Sequence, residues 1–185
     1  YTPETVLFDL KTQFSTACAS NNLTSENGCY SPTNYDDKFR GPISLRNALA
    51  QSINVPSVKT LYLAGIDNSI KLARDMGITG LANGARYGLT LVLGGGEVKL
   101  VDMVDAYGVF ANEGKKVRQT SILRIEDAKG NIIEESKPKE EIVLDRTVAL
   151  QISSILSDNV ARTPLYGANS QLYFSGVDVA AKTGT

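Results

Sequence analysis

Leu45-Arg46-Asn47-Ala48-Leu49-Ala50-Gln51-Ser52-Ile53-Asn54-Val55-Pro56 holds a helix, a break and a second helix start in one short run. Pro42 and Ser44 come before it, and Leu45, Ala48 and Leu49 share one face. A helix is therefore expected from about Ser44 to Gln51. Ser52-Ile53-Asn54 interrupts it. Pro56 then suits the first turn of a new helix, where its missing N–H costs nothing, and Gly65 ends that helix. Taken alone, Ser52 and Asn54 serve as caps, a common use of both residue types. In a break between two helices, however, both side chains can also project into a cleft. Lys182-Thr183-Gly184-Thr185 gathers a fixed cation, hydroxyls and a glycine that lets a ligand lie against the backbone, which is the make-up of a carboxylate-binding strip. Val177-Asp178-Val179-Ala180-Ala181 reads as the strand that carries it.

Composition narrows the chemistry. The 185 residues suffice for a substantial core, and a net charge of −1 gives no basic stripe for nucleic acid or acidic lipid. No apolar run approaches the roughly 20 residues of a membrane span, so any anchor is expected outside this sequence. Histidine is absent, which removes Ser-His-Asp and Cys-His catalysis and every imidazole zinc site from within the chain. Proton transfer falls instead to lysine, a carboxylate, tyrosine or a hydroxyl relay. Cys18 and Cys29 bracket a polar, Asn- and Ser-rich segment. A disulfide that closes this loop suits an oxidising, extracytoplasmic setting; the alternative is two free thiols in a reducing one.

Outward from these landmarks the chain reads as mixed α and β, mostly helical with one hairpin. Asp67 is expected to cap a third helix, which runs to about Met76 and closes at Gly77. Gly94-Gly95-Gly96 follows an apolar run, but no Gly-Lys-Ser/Thr completes a phosphate loop and Glu97 would repel an anion. A tight turn between an extended run and a helix is the better reading. The next helix spans about Leu100 to Asn112 and is expected to bury Leu100, Met103, Val104, Tyr107 and Phe110. Residues Val117 to Glu135 alternate as a β-hairpin around Asp127-Ala128-Lys129-Gly130, and Ser136 to Glu141 reads as a solvated connector. Asp145 is expected to cap a last helix to about Val160, with Val148, Ile152, Ile155 and Leu156 buried. A long loop over residues 161–177 then leads to the terminal strand.

With these residues in place, the chain resembles the transpeptidase domain of class A, bifunctional penicillin-binding proteins over nearly its whole length. Ser52-Ile53-Asn54 and Lys182-Thr183-Gly184 match, in order, two of the three motifs of penicillin-inhibited serine acyl-transferases. Further similarity lies in Tyr1-Thr2-Pro3-Glu4-Thr5-Val6, in Tyr30-Ser31-Pro32-Thr33-Asn34-Tyr35-Asp36 with Phe39-Arg40-Gly41-Pro42, and in Leu93-Gly94-Gly95-Gly96-Glu97-Val98. Ala106-Tyr107 with Phe110-Ala111-Asn112 adds to it. The third motif, the Ser-x-x-Lys that supplies the nucleophile, should precede Ser52. The one match, Ser136-Lys137-Pro138-Lys139, follows Ser52 in a charged stretch whose proline opposes a buried helix. The sequence is therefore expected to be an internal excerpt, residues 1–185 forming part of one transpeptidase domain. Its fold class would be α+β, the penicillin-binding-protein/β-lactamase-like fold in incomplete form: a helical part, a hairpin and one strand of the central sheet.

The resemblance implies a serine DD-transpeptidase that cross-links peptidoglycan stem peptides ending in D-Ala-D-Ala through an acyl-enzyme, with no metal or organic cofactor and with β-lactams as inhibitors, outside the bacterial cytoplasmic membrane. It implies that Ser52 relays a proton, Asn54 bonds the donor peptide's amide, and Lys182 holds the positive potential and orients Ser52. Thr183 and Thr185 would bind the terminal carboxylate. Gly184 would permit close approach, and the Thr185 N–H would form half of an oxyanion hole. Two other readings share these motifs: a non-catalytic sensing or scaffold domain of the same fold, and a D,D-carboxypeptidase or β-lactamase in which water replaces the amine acceptor.

Overall fold

The computed structural model describes residues 1–81 and 84–184. A first ribbon pairs β1 (Val6–Asp9) with β2 (Gly41–Ser44), antiparallel, with Val6 opposite Ser44 and Asp9 opposite Gly41. The polypeptide passes from β2 straight into α1 (Leu45–Ala50), because the Ser44 hydroxyl caps the first turn by accepting the Asn47 N–H. After the expected break, α2 (Asn54–Ala64) runs to Gly65, with Pro56 in its first turn. Val55, Val58 and Leu61 are buried on α2 and, with Ile53, make up much of the core. Full burial of side chains of this size contributes roughly 1.5–3 kcal/mol each, as an upper estimate.

The way α1 ends matters for everything after it. The Ile53 N–H reaches back to the Ala48 carbonyl at 2.9 Å and the Ser52 N–H to the Leu49 carbonyl at 3.1 Å. Ile53 also packs on Ala48 and Ile43. These two bonds and the apolar contact define a Schellman stop, whose penultimate position needs a left-handed backbone. Ser52 occupies that position at φ 56°, where glycine is the usual resident. The stop fixes the direction in which the Ser52 side chain leaves the backbone.

Helix α3 (Ile66–Met76) starts directly from Gly65, which serves both helices as a cap. Asp67 is thus inside the first turn, not at the cap, and its carboxylate accepts the Gly84 N–H. Residues Gly88–Leu93 coil as a 3₁₀ helix where an extended run was expected, and the glycines after it make the turn into α4 (Leu100–Ala111).

The expected orientation of α4 is wrong. Leu100 and Val104 are 81% and 62% exposed and Tyr107 is also exposed, whereas Asp102, Ala106 and Val109 are buried. The cause is polar: the Asp102 carboxylate accepts both the N–H and the hydroxyl of Thr79, at 2.8 and 2.7 Å. Those bonds hold the carboxyl below its usual range. The small Ala106 then brings α4 close to Met76, with Ile78, Phe110, Val143 and Leu144 around them.

Two further antiparallel ribbons follow: β3 (Lys115–Val117) with β6 (Glu140–Ile142), and β4 (Arg124–Glu126) with β5 (Ile132–Glu135). The second is the expected hairpin around Asp127–Gly130 in shorter form, because Val117 pairs with Glu140 instead of joining it. The first was not anticipated: part of the supposed connector is a strand, tied by the pair Lys115–Glu140 at 2.8 Å. Asp145 caps α5 (Arg146–Ser157) as expected, but that helix stops at Asp158. A separate helix, α6 (Asn159–Tyr166), begins within the residues given to that helix and takes up the start of the expected loop. On α5, Ile155 and Leu156 are buried while Val148 is exposed. Val148 lines an open apolar groove of about 490 Å³ with Leu49, Leu61 and Ile152.

Residues 177–184 carry no strand ladder. A strand exists by pairing, and no described segment pairs with this one. It is held instead by a backbone bond from the Ala181 N–H to the Leu156 carbonyl, 2.9 Å. The whole is an α+β assembly of helices with three small ribbons among the described residues.

Candidate functional site

Ser52 and Lys182, 130 residues apart in sequence, meet with Lys182 Nζ donating to Ser52 Oγ at 2.7 Å. Each side of this contact is fixed by its own element. The Schellman stop aims Ser52, and the Leu156 carbonyl holds the backbone immediately before Lys182. The ammonium also donates to the Thr183 carbonyl at 2.9 Å and to Thr183 Oγ1 at 3.2 Å. Its three protons are thereby directed to three oxygens, and the Ser52 hydroxyl keeps its own hydrogen for a further partner. Partial burial pushes the Lys182 ammonium below the usual lysine range.

Asn54 opens α2 two residues after Ser52, and its side-chain N–H₂ donates to the Thr33 carbonyl at 2.9 Å. This bond ties the site to the 30–36 segment, where Asn34 was missed as a structural hub. The buried Asn34 amide donates to both oxygens of the Asp9 carboxylate at 2.9 Å each, and to the Lys38 carbonyl at 2.7 Å. Its oxygen accepts the Val55 N–H at the start of α2. Asp9 in turn accepts the Arg40 N–H at 2.9 Å. A buried carboxylate that is fully hydrogen-bonded is tolerated, and here it pins three chain segments behind the site. Nothing in the sequence pattern marks Asn34 as distinct from the other asparagines of that polar region.

Thr183 is exposed, and its hydroxyl lies 2.9 Å from the Tyr166 phenol at the end of α6. Sequence reasoning missed Tyr166 because its residues were assigned to a loop. The space over Gly184 is open: a Cβ there would meet nothing within 4 Å. Thr185 lies outside the described residues. Ser52, Lys182 and Thr183 are thus brought together by hydrogen bonds, while the Asn54 amide is turned to Thr33. Among the described residues, no cluster of three or more His, Cys, Asp or Glu could hold a metal ion. The arrangement can hold an anion beside a cation, pass a proton through a hydroxyl and pair with a peptide backbone.

The penicillin-binding protein transpeptidase domain family matches residues 10–185. Penicillin-binding protein 2D of Bacillus subtilis is 33% identical over 158 residues, 85% of this chain and 21% of that protein. Penicillin-binding protein 1C of Escherichia coli is 44% identical over 89 residues, 48% of this chain and 12% of that protein. The chain therefore spans about a fifth of the length of the first of these relatives and less of the second. Among solved structures, penicillin-binding protein 1A from Haemophilus influenzae superposes with a TM-score of 0.71 at 23% identity, covering 96% of this chain and 28% of that one. Penicillin-binding protein A from M. tuberculosis, solved as a ceftriaxone acyl-enzyme complex, gives 0.75 at 16% identity, covering 100% and 43%, a likeness of fold. The family match covers both motifs and all the elements that bring Lys182 to Ser52, and the chain belongs to the transpeptidase-domain family of penicillin-binding proteins.

Proposed function

We propose that this chain is the acyl-donor-binding part of a serine DD-transpeptidase, one that cross-links peptidoglycan stem peptides through an acyl-enzyme and is acylated by β-lactams. The observation that carries the reading is the 2.7 Å contact of Lys182 Nζ with Ser52 Oγ. The acylating serine, of a Ser-x-x-Lys motif, is contributed by protein outside residues 1–185. As that serine attacks the penultimate D-Ala carbonyl, giving its hydroxyl proton to the lysine of its own motif, the amide to the terminal D-Ala breaks; the leaving D-alanine amine takes the Ser52 hydroxyl proton while Lys182 passes one to Ser52 Oγ. The incoming amine returns a proton by the same path, so the relay is restored when the new amide forms.

Asn54 offers its side-chain oxygen to the donor peptide's N–H, since its amide hydrogens already face Thr33. The cation and the Thr183 hydroxyl receive the donor's terminal carboxylate, and Thr185 completes that strip. The substrate belongs to the cell wall, which places the reaction outside the cytoplasmic membrane. Among the described residues, no helix is long and apolar enough to cross a membrane.

The test is fluorescent-penicillin labelling of the full-length protein, read by intact mass, with residues 1–185 alone as the control. A covalent adduct on the full-length protein only is expected. Ser52→Ala and Lys182→Ala should each slow acylation about a hundredfold, the lower end of what acid–base groups contribute. A folded full-length protein that takes no penicillin overturns the reading. An adduct on residues 1–185 overturns the placement of the nucleophile.

A further inference from the structure

Helix α6, which ends at Tyr166, is bonded through its first turn both to α1 and to the segment that bears Lys182. Asp158 caps α6 by accepting the Ala161 N–H at 2.8 Å, and the same carboxylate pairs with Arg46 of α1 at 3.2 Å. The buried Gln51 amide, next to Ser52, donates to the Ala161 carbonyl at 3.0 Å. Arg162, only 2% exposed, directs its guanidinium to the carbonyls of Leu156 and Leu172. The Leu156 oxygen is the one that also receives the Ala181 N–H. Helix α6 and the segment bearing Lys182 and Thr183 therefore share an anchor, and α6 is bonded to the residue adjoining Ser52. The Tyr166 phenol and the Thr183 hydroxyl are the two ends of the bracket these bonds make.

Hydrogen counting shows what the bracket does. Thr183 Oγ1 already accepts from Lys182 Nζ at 3.2 Å and lies 2.9 Å from Tyr166 Oη. The two hydroxyls own two hydrogens and share one bond, so one hydrogen remains to face a ligand. With an anion in place, the stable order is Tyr166 O–H to Thr183 Oγ1, then Thr183 O–H to the anion. Each bond polarises the next, with the Lys182 cation behind both.

We propose that Tyr166 is a positioning and specificity residue. It aims the Thr183 hydroxyl hydrogen at the anionic end of the acyl donor, so the site selects donors that carry a carboxylate over neutral ones. This rests on the transpeptidase reading above.

The test compares full-length wild type with Tyr166→Phe, measuring acylation rate constants for benzylpenicillin and for its methyl ester. Loss of one hydrogen bond to a charge-bearing chain should lower the acid-to-ester selectivity about tenfold. A general loosening of the site would slow both probes equally and leave the ratio unchanged; an unchanged ratio overturns the proposal. If Tyr166→Phe unfolds, a double-mutant cycle of Tyr166→Leu with Thr183→Val replaces it. Effects on the ratio that are coupled support the bracket, and effects that simply multiply overturn it. A wild-type protein that takes neither probe overturns the transpeptidase reading, and the role of Tyr166 falls with it. A selectivity unmoved by Tyr166→Phe in a penicillin-reactive protein overturns the role of Tyr166 alone.

Discussion

Ser52 sits where the backbone would rather have glycine, at a left-handed φ of 56°. Replacing it with glycine relieves that conformation and replacing it with alanine does not, while both remove the hydroxyl. Ser52→Gly should therefore be more stable than Ser52→Ala by about 1 kcal/mol in urea unfolding, and equally slow in acylation. Lys182 supplies a second expectation. Burial lowers its folded pKa below the ordinary 10.5, so the folded protein loses this proton before the unfolded chain does. As pH rises through the interval between the lowered value and 10.5, the unfolded chain binds more protons, and this group makes stability rise. Below the interval that gain is absent. Lys182→Met should flatten the rise in denaturation measured across that range, and the alkaline limb of wild-type acylation should fall short of the ordinary lysine value. Ser52 and Lys182 were legible from sequence because their motifs combine scarce chemistry with a glycine and a helix break. Tyr166 and Asn34 were not, because a tyrosine hydroxyl and an asparagine amide take meaning only from what stands opposite them.

At the scale of elements, the helices read from sequence were those with clear ends: Ser44 before α1, Gly65 after α2, Gly77 after α3, Asp145 before α5. α6 escaped notice because Pro164 and its polar neighbours suggest a loop, and the bonds that hold it come from Arg46, Gln51 and its own Arg162, mostly remote in sequence. α4 was read with the wrong face inward for a related reason: hydrophobic period alone cannot weigh a buried carboxylate that finds two donors on Thr79. Asp158 gives this scale its test. It closes α5, caps α6 and pairs with Arg46, so Asp158→Ala should cost about 1–2 kcal/mol, near the upper end for loss of a cap. If α6 is rigidly bracketed, the same change should also accelerate amide exchange around Tyr166. Normal stability and unchanged exchange would show that the helix is held by other means.

At the scale of the whole molecule, the Cys18–Cys29 disulfide closes the polar loop that the sequence suggested, at a Cα–Cα distance of 5.7 Å. With 11 residues of separation, loop entropy assigns it about 3 kcal/mol. Cys18→Ser/Cys29→Ser should lower the unfolding free energy by up to that amount, with reducing agent having no further effect on the double variant. The α+β class and the succession of helices were legible because period and punctuation are local. The pairing of β3 with β6 and the lack of a ladder at 177–184 were not, because pairing depends on segments far away in the chain. The contact between Lys182 and Ser52 depends on such distance more than any other, and this bears on how the protein is made. A ribosome releases Ser52 long before Lys182, so every shorter nascent chain carries the hydroxyl without the amine. A prematurely terminated product that lacks Lys182 therefore carries the hydroxyl without the cation that polarises it.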